Sequence, residues 1–151
     1  MATEIERKFL LRDDSWRGLG PSVRIRQGYL SRAKDRTVRI RIQDEKSFLT
    51  IKGRTWGLCR PEFEYEIPTR DAEEMIQLCE GLVIEKTRHN IEHGGLVWEV
   101  DEFHGELEGL ILAECELTDP DQEIDKPAWA GDEVSRDPRY FNANLTCWPL
   151  P

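Results

Sequence analysis

The sequence predicts an α+β protein that is mainly β: a closed antiparallel barrel of eight strands, forming a tunnel, with a few helices packed outside. Three observations carry that prediction. Strand-like windows bounded by turn residues recur along most of the chain, and one good helical stretch precedes the last of them. Inside the windows, charged residues return at every second position and so share a face, while the alternate positions are largely apolar. After the first window, each strand's charged row keeps one sign, and the sign changes along the series. A sheet wetted on one side accounts for one or two such strands, not for the whole series. Closing the sheet with its charged rows inward accounts for all of them. Burying unpaired charge costs several kcal/mol per ion, so inward acids require bases or metal opposite them.

The first window, 3–11, runs Thr-Glu-Ile-Glu-Arg-Lys-Phe-Leu-Leu and places Glu4, Glu6 and Lys8 on one face. After Gly18 to Pro21 comes a strand at 22–30, then one at 36–43, in which Arg39 and Arg41 oppose Val38, Ile40 and Ile42. Asp44-Glu45-Lys46 turns into 47–53, where Lys52 opposes Leu49 and Ile51. The turn from Gly53 to Gly57 leads to 60–68, where Glu62, Glu64 and Glu66 oppose Phe63, Tyr65 and Ile67. A helix is predicted over 70–80, capped by Thr69 or Asp71, with Ala72, Met75, Ile76 and Cys79 at helical spacing and Gly81 as its stop. Strands at 82–90 (Lys86, Arg88), 95–103 (Glu99, Asp101) and 109–118 (Glu114, Glu116) complete the set, the first two separated by Gly94-Gly95. Short helices are expected near 131–135 and 139–146. The outer apolar face needs cover, from the helix, the tail and Trp56, Trp98, Trp129 and Trp148, and otherwise from a second copy; a homodimer is therefore expected.

The inward residues suggest chemistry. Two carboxylates one strand step apart, Glu4 and Glu6, are poor neighbours without a cation between them. Mg²⁺ or Mn²⁺ suits them, because hard divalent ions take oxygen ligands from carboxylates together with substrate phosphates. Taken alone, these two acids read as an ordinary solvated strand face; the recurrence along the chain favours the tunnel. The bases Lys8, Arg39, Arg41, Lys52, Lys86 and Arg88 suit phosphate, which Arg grips as a fork and Lys as a point charge.

Length, charge and cysteine use narrow the class. The 151 residues fit one core, read as a single domain over 1–151, and the net charge of −9 argues against a nucleic-acid partner. No apolar run approaches a membrane span, and the first strand begins too early for a cleavable leader. Cys59, Cys79, Cys115 and Cys147 lack CxxC spacing, which reads as reduced thiols in a cytoplasmic protein. His89, His93 and His104 have no ligand spacing and read as surface residues.

Glu4-x-Glu6-x-Lys8 resembles the ExExK signature of the CYTH superfamily, the triphosphate tunnel metalloenzymes. The resemblance continues in order through Gln27-Gly28-Tyr29-Leu30, Arg39/Arg41, Lys52, Glu62/Glu64, Glu85-Lys86-Thr87-Arg88, Glu99-Val100-Asp101 and Glu114-x-Glu116. It ends at Arg139-Tyr140-Phe141-Asn142, similar to the family's basic-Tyr-x-Asn segment, with Pro138 departing from the pattern. The short form looks most like the bacterial inorganic triphosphatases. The resemblance implies divalent-metal-dependent hydrolysis of a short polyphosphate, inorganic tripolyphosphate first, inside the tunnel. In that reading Lys8, Arg39, Arg41 and Lys52 are catalytic and bind substrate together with Lys86, Arg88 and Arg139. Glu4, Glu6, Asp101, Glu114 and Glu116 hold the metal, and Glu62, Glu64 and Glu99 support them. The rivals are cyclisation of ATP, hydrolysis of a nucleoside or thiamine triphosphate, and polyphosphate binding without turnover.

Overall fold

The structure, a computed structural model, describes residues 3–147. Its strands are β1 (Thr3–Leu11), β2 (Ser22–Ser31), β3 (Arg36–Gln43), β4 (Lys46–Gly53), β5 (Cys59–Ile67), β6 (Glu80–His93), β7 (Leu96–Phe103), β8 (Ile111–Glu116) and β9 (Ala130–Glu133), with helices α1 (Thr69–Ile76) and α2 (Asn142–Leu145). Neighbours follow the order β5-β4-β3-β2-β6-β7-β8-β1, and β1 returns to β5, so eight antiparallel strands close on themselves. β1 is shared along its free edge. Thr3–Ile5 pair with β5, and Phe9 and Leu11 pair with the extra strand β9.

β9 occupies the place expected for a helix near 131–135. Its four residues, Ala-Gly-Asp-Glu, have no alternation to announce a strand. The unpaired backbone groups of β1 beyond Ile5 make the strand by pairing with it, and Arg7 adds an ion pair to Glu133. The helix expected near 139–146 divides into a 3₁₀ turn over Pro138–Tyr140 and the single turn of α2.

α1 begins after Pro68, which carries no side-chain cap; Thr69 and Asp71 lie inside the first turn. Thr69 instead exchanges a hydroxyl contact with Ser47 at 2.9 Å. The helix stops earlier than predicted, because Gln77, Leu78 and Cys79 close the chain with short-range amide bonds to Glu74, Met75 and Ile76. Gly81 is therefore not its stop. It lies in β6 with φ +69, and a Cβ there would come within 2.7 Å of the Thr146 carbonyl oxygen. Glycine is needed for that close approach.

The outward rows are hidden in two ways. Ala72 and Ile76, one helical turn apart on α1, pack on Ile40 and Ile42. Around β1, β7 and β8, loops cover the barrel: Trp16 and Trp129 join Phe9, Trp98, Val100 and Cys115 in one buried cluster. Trp98 and Trp129 give the cover expected of them. Trp56 does not, standing exposed beneath the Arg54 guanidinium. Trp148 lies outside the described residues. The histidines are half-buried on the outside rather than at the open surface; His89 meets Trp16 edge-on at 4.8 Å and His104 Nε2 lies 2.7 Å from Thr87 Oγ1.

The inward rows are not charged throughout. Leu10, Ile84, Phe103 and Leu112 continue the same faces as Lys8, Lys86, Asp101 and Glu114, and pack with Leu107 and Leu145. Hydrocarbon thus fills the lumen at that level, beneath the charged layer. Among the described residues no helix is long and apolar enough to cross a membrane, and the cysteines are unpaired.

Candidate active site

Strand alternation turns the predicted charged rows into the lumen, and cross-strand register decides which charges meet. Lys8 faces Glu114 across the β1–β8 ladder, 3.4 Å from it, and also donates to the Tyr140 carbonyl at 2.7 Å. Lys52 lies 2.5 Å from Glu4 and 3.5 Å from Glu62. Arg39 donates to Thr50 at 3.3 Å and stands 3.6 Å from Glu64. Deeper in, Asp101 takes Lys86 at 2.7 Å and Arg88 at 2.8 and 2.9 Å, while Arg88 reaches Glu99 at 2.9 Å.

Arg41 differs. Its Nε donates to the Gln27 side-chain carbonyl at 2.9 Å, and no carboxylate lies within ion-pair distance among the described residues. Arg39 Nε and Gln27 Nε2 are buried without a hydrogen-bond partner. The middle of the basic wall is thus short of acceptors.

Titration follows this arrangement. Burial, with Arg39 and Arg88 as like-charged neighbours, lowers Arg41 to about 9. Burial also lowers Lys86 to about 7, with Arg88 and Arg41 opposing its charge and Asp101 offsetting only part. Burial works against ionised Asp101, yet Arg88 and Lys86 hold it at about 2. The acids opposite are crowded. Burial, then Glu114 and Glu4, push Glu6 well above the usual carboxylate range. Glu4 is held at about 2 because Lys52 and hydrogen bonds from its neighbours outweigh its burial. Glu62 rises to about 7 through burial and the proximity of Glu4.

A cavity of about 260 Å³ gathers Glu4, Glu6, Lys8, Arg39 and Lys52. Arg41, Lys86, Arg88, Asp101 and Glu114 lie buried in the lumen. Glu62 and Glu99 are half-buried, and Glu64 and Glu116 are exposed. Arg139 is not brought to this group: it is exposed and held by Asp137 at 2.7 Å. Sequence reasoning assigned no role to Gln27 or Thr50, although both are polar residues on inward strand positions. It also passed over Arg32 and Arg54, beside loops, and Asn144, in the single turn of α2, which line the cavity where strand alternation gives no signal.

Among the described residues, no three acid, histidine or cysteine side chains stand as a preformed metal cage. The donors nevertheless suit a hard divalent ion. Glu6 is within hydrogen-bonding reach of both Glu4 and Glu114, and the group is compensated here by Lys52 and by the raised proton affinity of Glu6. A divalent ion offers the same compensation.

Comparison with known proteins agrees with this geometry. A protein of Acetivibrio thermocellus named inorganic triphosphatase is 49% identical over 146 residues, covering 96% of this chain and 94% of its own. One of the same name from Nitrosomonas europaea is 39% identical over 147 residues, covering 95% and 96%. A crystal structure described as an inorganic triphosphatase superposes with a TM-score of 0.70 at 36% identity, covering 97% of this chain and 95% of the other. The CYTH domain model matches residues 2–146, and with near-full-length relatives well above 30% identity, the chain belongs to the CYTH family.

Proposed function

We propose that this chain hydrolyses the terminal phosphoanhydride of inorganic tripolyphosphate, with Mg²⁺ or Mn²⁺ held by the tunnel acids. The observation that supports it best is the pairing of two incompletely compensated walls. Arg41 and Arg39 hold cationic nitrogens without acceptors on one side, and Glu6, with Glu4 and Glu114, holds crowded acids on the other. A polyanion carrying a divalent cation complements both. The bare tripolyphosphate chain also needs no ring-binding surface.

Lys8, Arg39, Arg41 and Lys52 bind the phosphate oxygens and offset the charge that develops as the bridging bond breaks. Lys86 and Arg88, locked to Asp101, hold the wall beside Arg41. Glu4, Glu6 and Glu114 would hold the ion, with Asp101 and Glu116 completing the acidic surroundings. A divalent ion bound there supplies charge neutralisation and Lewis acidity. Phosphate release from tripolyphosphate, ATP and thiamine triphosphate, each with Mg²⁺ and with Mn²⁺, tests the reading. Tripolyphosphate should be turned over with the highest kcat/KM; binding without turnover, or a higher value for ATP, refutes it.

The assembly is a homodimer in this proposal. Ile51, Phe63 and Tyr65 form a contiguous exposed apolar row across β4 and β5, left uncovered by α1 and the loops. Light scattering at micromolar concentration should give twice the chain mass, and Tyr65→Arg should halve it. A cytoplasmic location accords with the unpaired cysteines.

A further inference from the structure

We propose that Gln27 is a positioning residue for phosphate capture: its neutral carbonyl orients Arg41 and leaves that cation free for a phosphate oxygen. The proposal rests on the tunnel being a phosphate site. Gln27 lies on the inward face of β2, directly opposite Arg41 in the β2–β3 ladder, and is fully buried. Its orientation follows from chemistry. Arg41 Nε can only donate, so the oxygen of the amide must face it, as it does at 2.9 Å. The amide nitrogen is then left buried without a partner.

That arrangement is poor for the stability of the empty protein. A buried donor without an acceptor is costly, and methionine at this position would pack with no such group. The choice of an uncharged acceptor is also distinctive. Lys8, Arg39, Lys52, Lys86 and Arg88 each have a carboxylate within 4.0 Å, whereas among the described residues Arg41 has a neutral partner and no carboxylate. A glutamate at position 27 has nearly the same shape and would also accept from Nε, but it would neutralise Arg41. Arg41 binds through Nε alone, so its terminal nitrogens keep the planar fork that suits phosphate. Gln27 fixes the direction of the fork without cancelling its charge.

The test uses Gln27→Glu, Gln27→Met and Arg41→Lys, with Gln27→Met also made in the Arg41→Lys background. For Gln27→Glu, the melting temperature should rise while kcat/KM for tripolyphosphate falls by about tenfold or more, chiefly through KM. For Gln27→Met, kcat/KM should fall by about tenfold in the native background. In the Arg41→Lys background the same change should cost less than about twofold, because a lysine there has no Nε–H to orient. A merely structural role predicts the same factor in both backgrounds, and that result overturns the proposal. So does kcat/KM within twofold of native in both single variants. A second readout does not depend on turnover: the rise in melting temperature that tripolyphosphate produces in metal-free protein should be smaller in Gln27→Glu than in the native protein, and a rise that is not smaller overturns the proposal. If the native chain fails to hydrolyse tripolyphosphate, the function assigned to the site fails, and this metal-free arm still decides Gln27.

Discussion

Replacing Arg41 by methionine should make the protein more stable and much less active. The guanidinium is buried, has no carboxylate partner, and is lowered from 12.5 to about 9 by burial and by Arg39 and Arg88. At about 1.4 kcal/mol per pH unit, that bias disfavours the charged side chain by roughly 5 kcal/mol. Methionine removes it while keeping most of the stem's packing. It also strands the Gln27 carbonyl, at a cost of about 1–3 kcal/mol. The net expectation is a gain of about 2 kcal/mol, or about 4–8 °C in melting temperature for a chain of this size. The sign with pH is fixed. A base whose folded value lies below its unfolded one destabilises in full below the folded value, and the penalty fades as pH rises through about 9. The gain in Arg41→Met should therefore be complete at neutral pH and shrink above pH 9. Loss of a phosphate contact in the transition state should meanwhile lower kcat/KM by about ten- to a thousandfold. Urea denaturation at pH 7 and at higher pH, alongside phosphate release, measures both. A variant less stable than native at pH 7, or one with native activity, refutes the view of Arg41 as a cation reserved for substrate.

Glu6→Gln should abolish most turnover at saturating Mg²⁺ yet raise the melting temperature of metal-free protein, since burial and the neighbours Glu114 and Glu4 oppose its charge; Glu4→Gln should also lose turnover but lose stability, because it leaves Lys52 with the weaker contact to Glu62. Asp101→Asn should cost about 3–5 kcal/mol in chemical denaturation, because it strips Lys86 and Arg88 of their shared buried anion; a loss under 1 kcal/mol would show that the knot is relaxed by other groups. Glu4 and Asp101, both held at about 2, have folded values below their unfolded ones, so the stability they contribute is present above about pH 4.5 and lost as pH falls toward 2. Denaturation midpoints at pH 7, 4.5 and 3 should show that loss concentrated between the last two, and the dependence should weaken in Asp101→Asn.

Much of the barrel is legible in the residue order because a strand's faces alternate locally. Glu4/Glu6/Lys8, Arg39/Arg41 and Glu99/Asp101 each declare a polar side without reference to any partner, and all of these rows turn inward. Closure of the sheet follows from the cost of leaving rows of one sign unopposed. What alternation cannot contain is how far each strand slides past its neighbour. That register pairs Arg88 and Lys86 with Asp101 and sets Gln27 against Arg41, so it alone makes Arg41 the base without a carboxylate. It also brings Leu10, Ile84, Phe103 and Leu112 to one level, where they become an apolar floor rather than four ordinary strand ends. β9 was invisible for a related reason: its four residues become a strand only because β1 offers an unpaired edge. The same holds for Trp16, buried by the loop that carries it across the barrel. Period and sign are properties of neighbouring residues; register, compensation and burial are sums over residues far apart in the chain, and only the folded structure sets them.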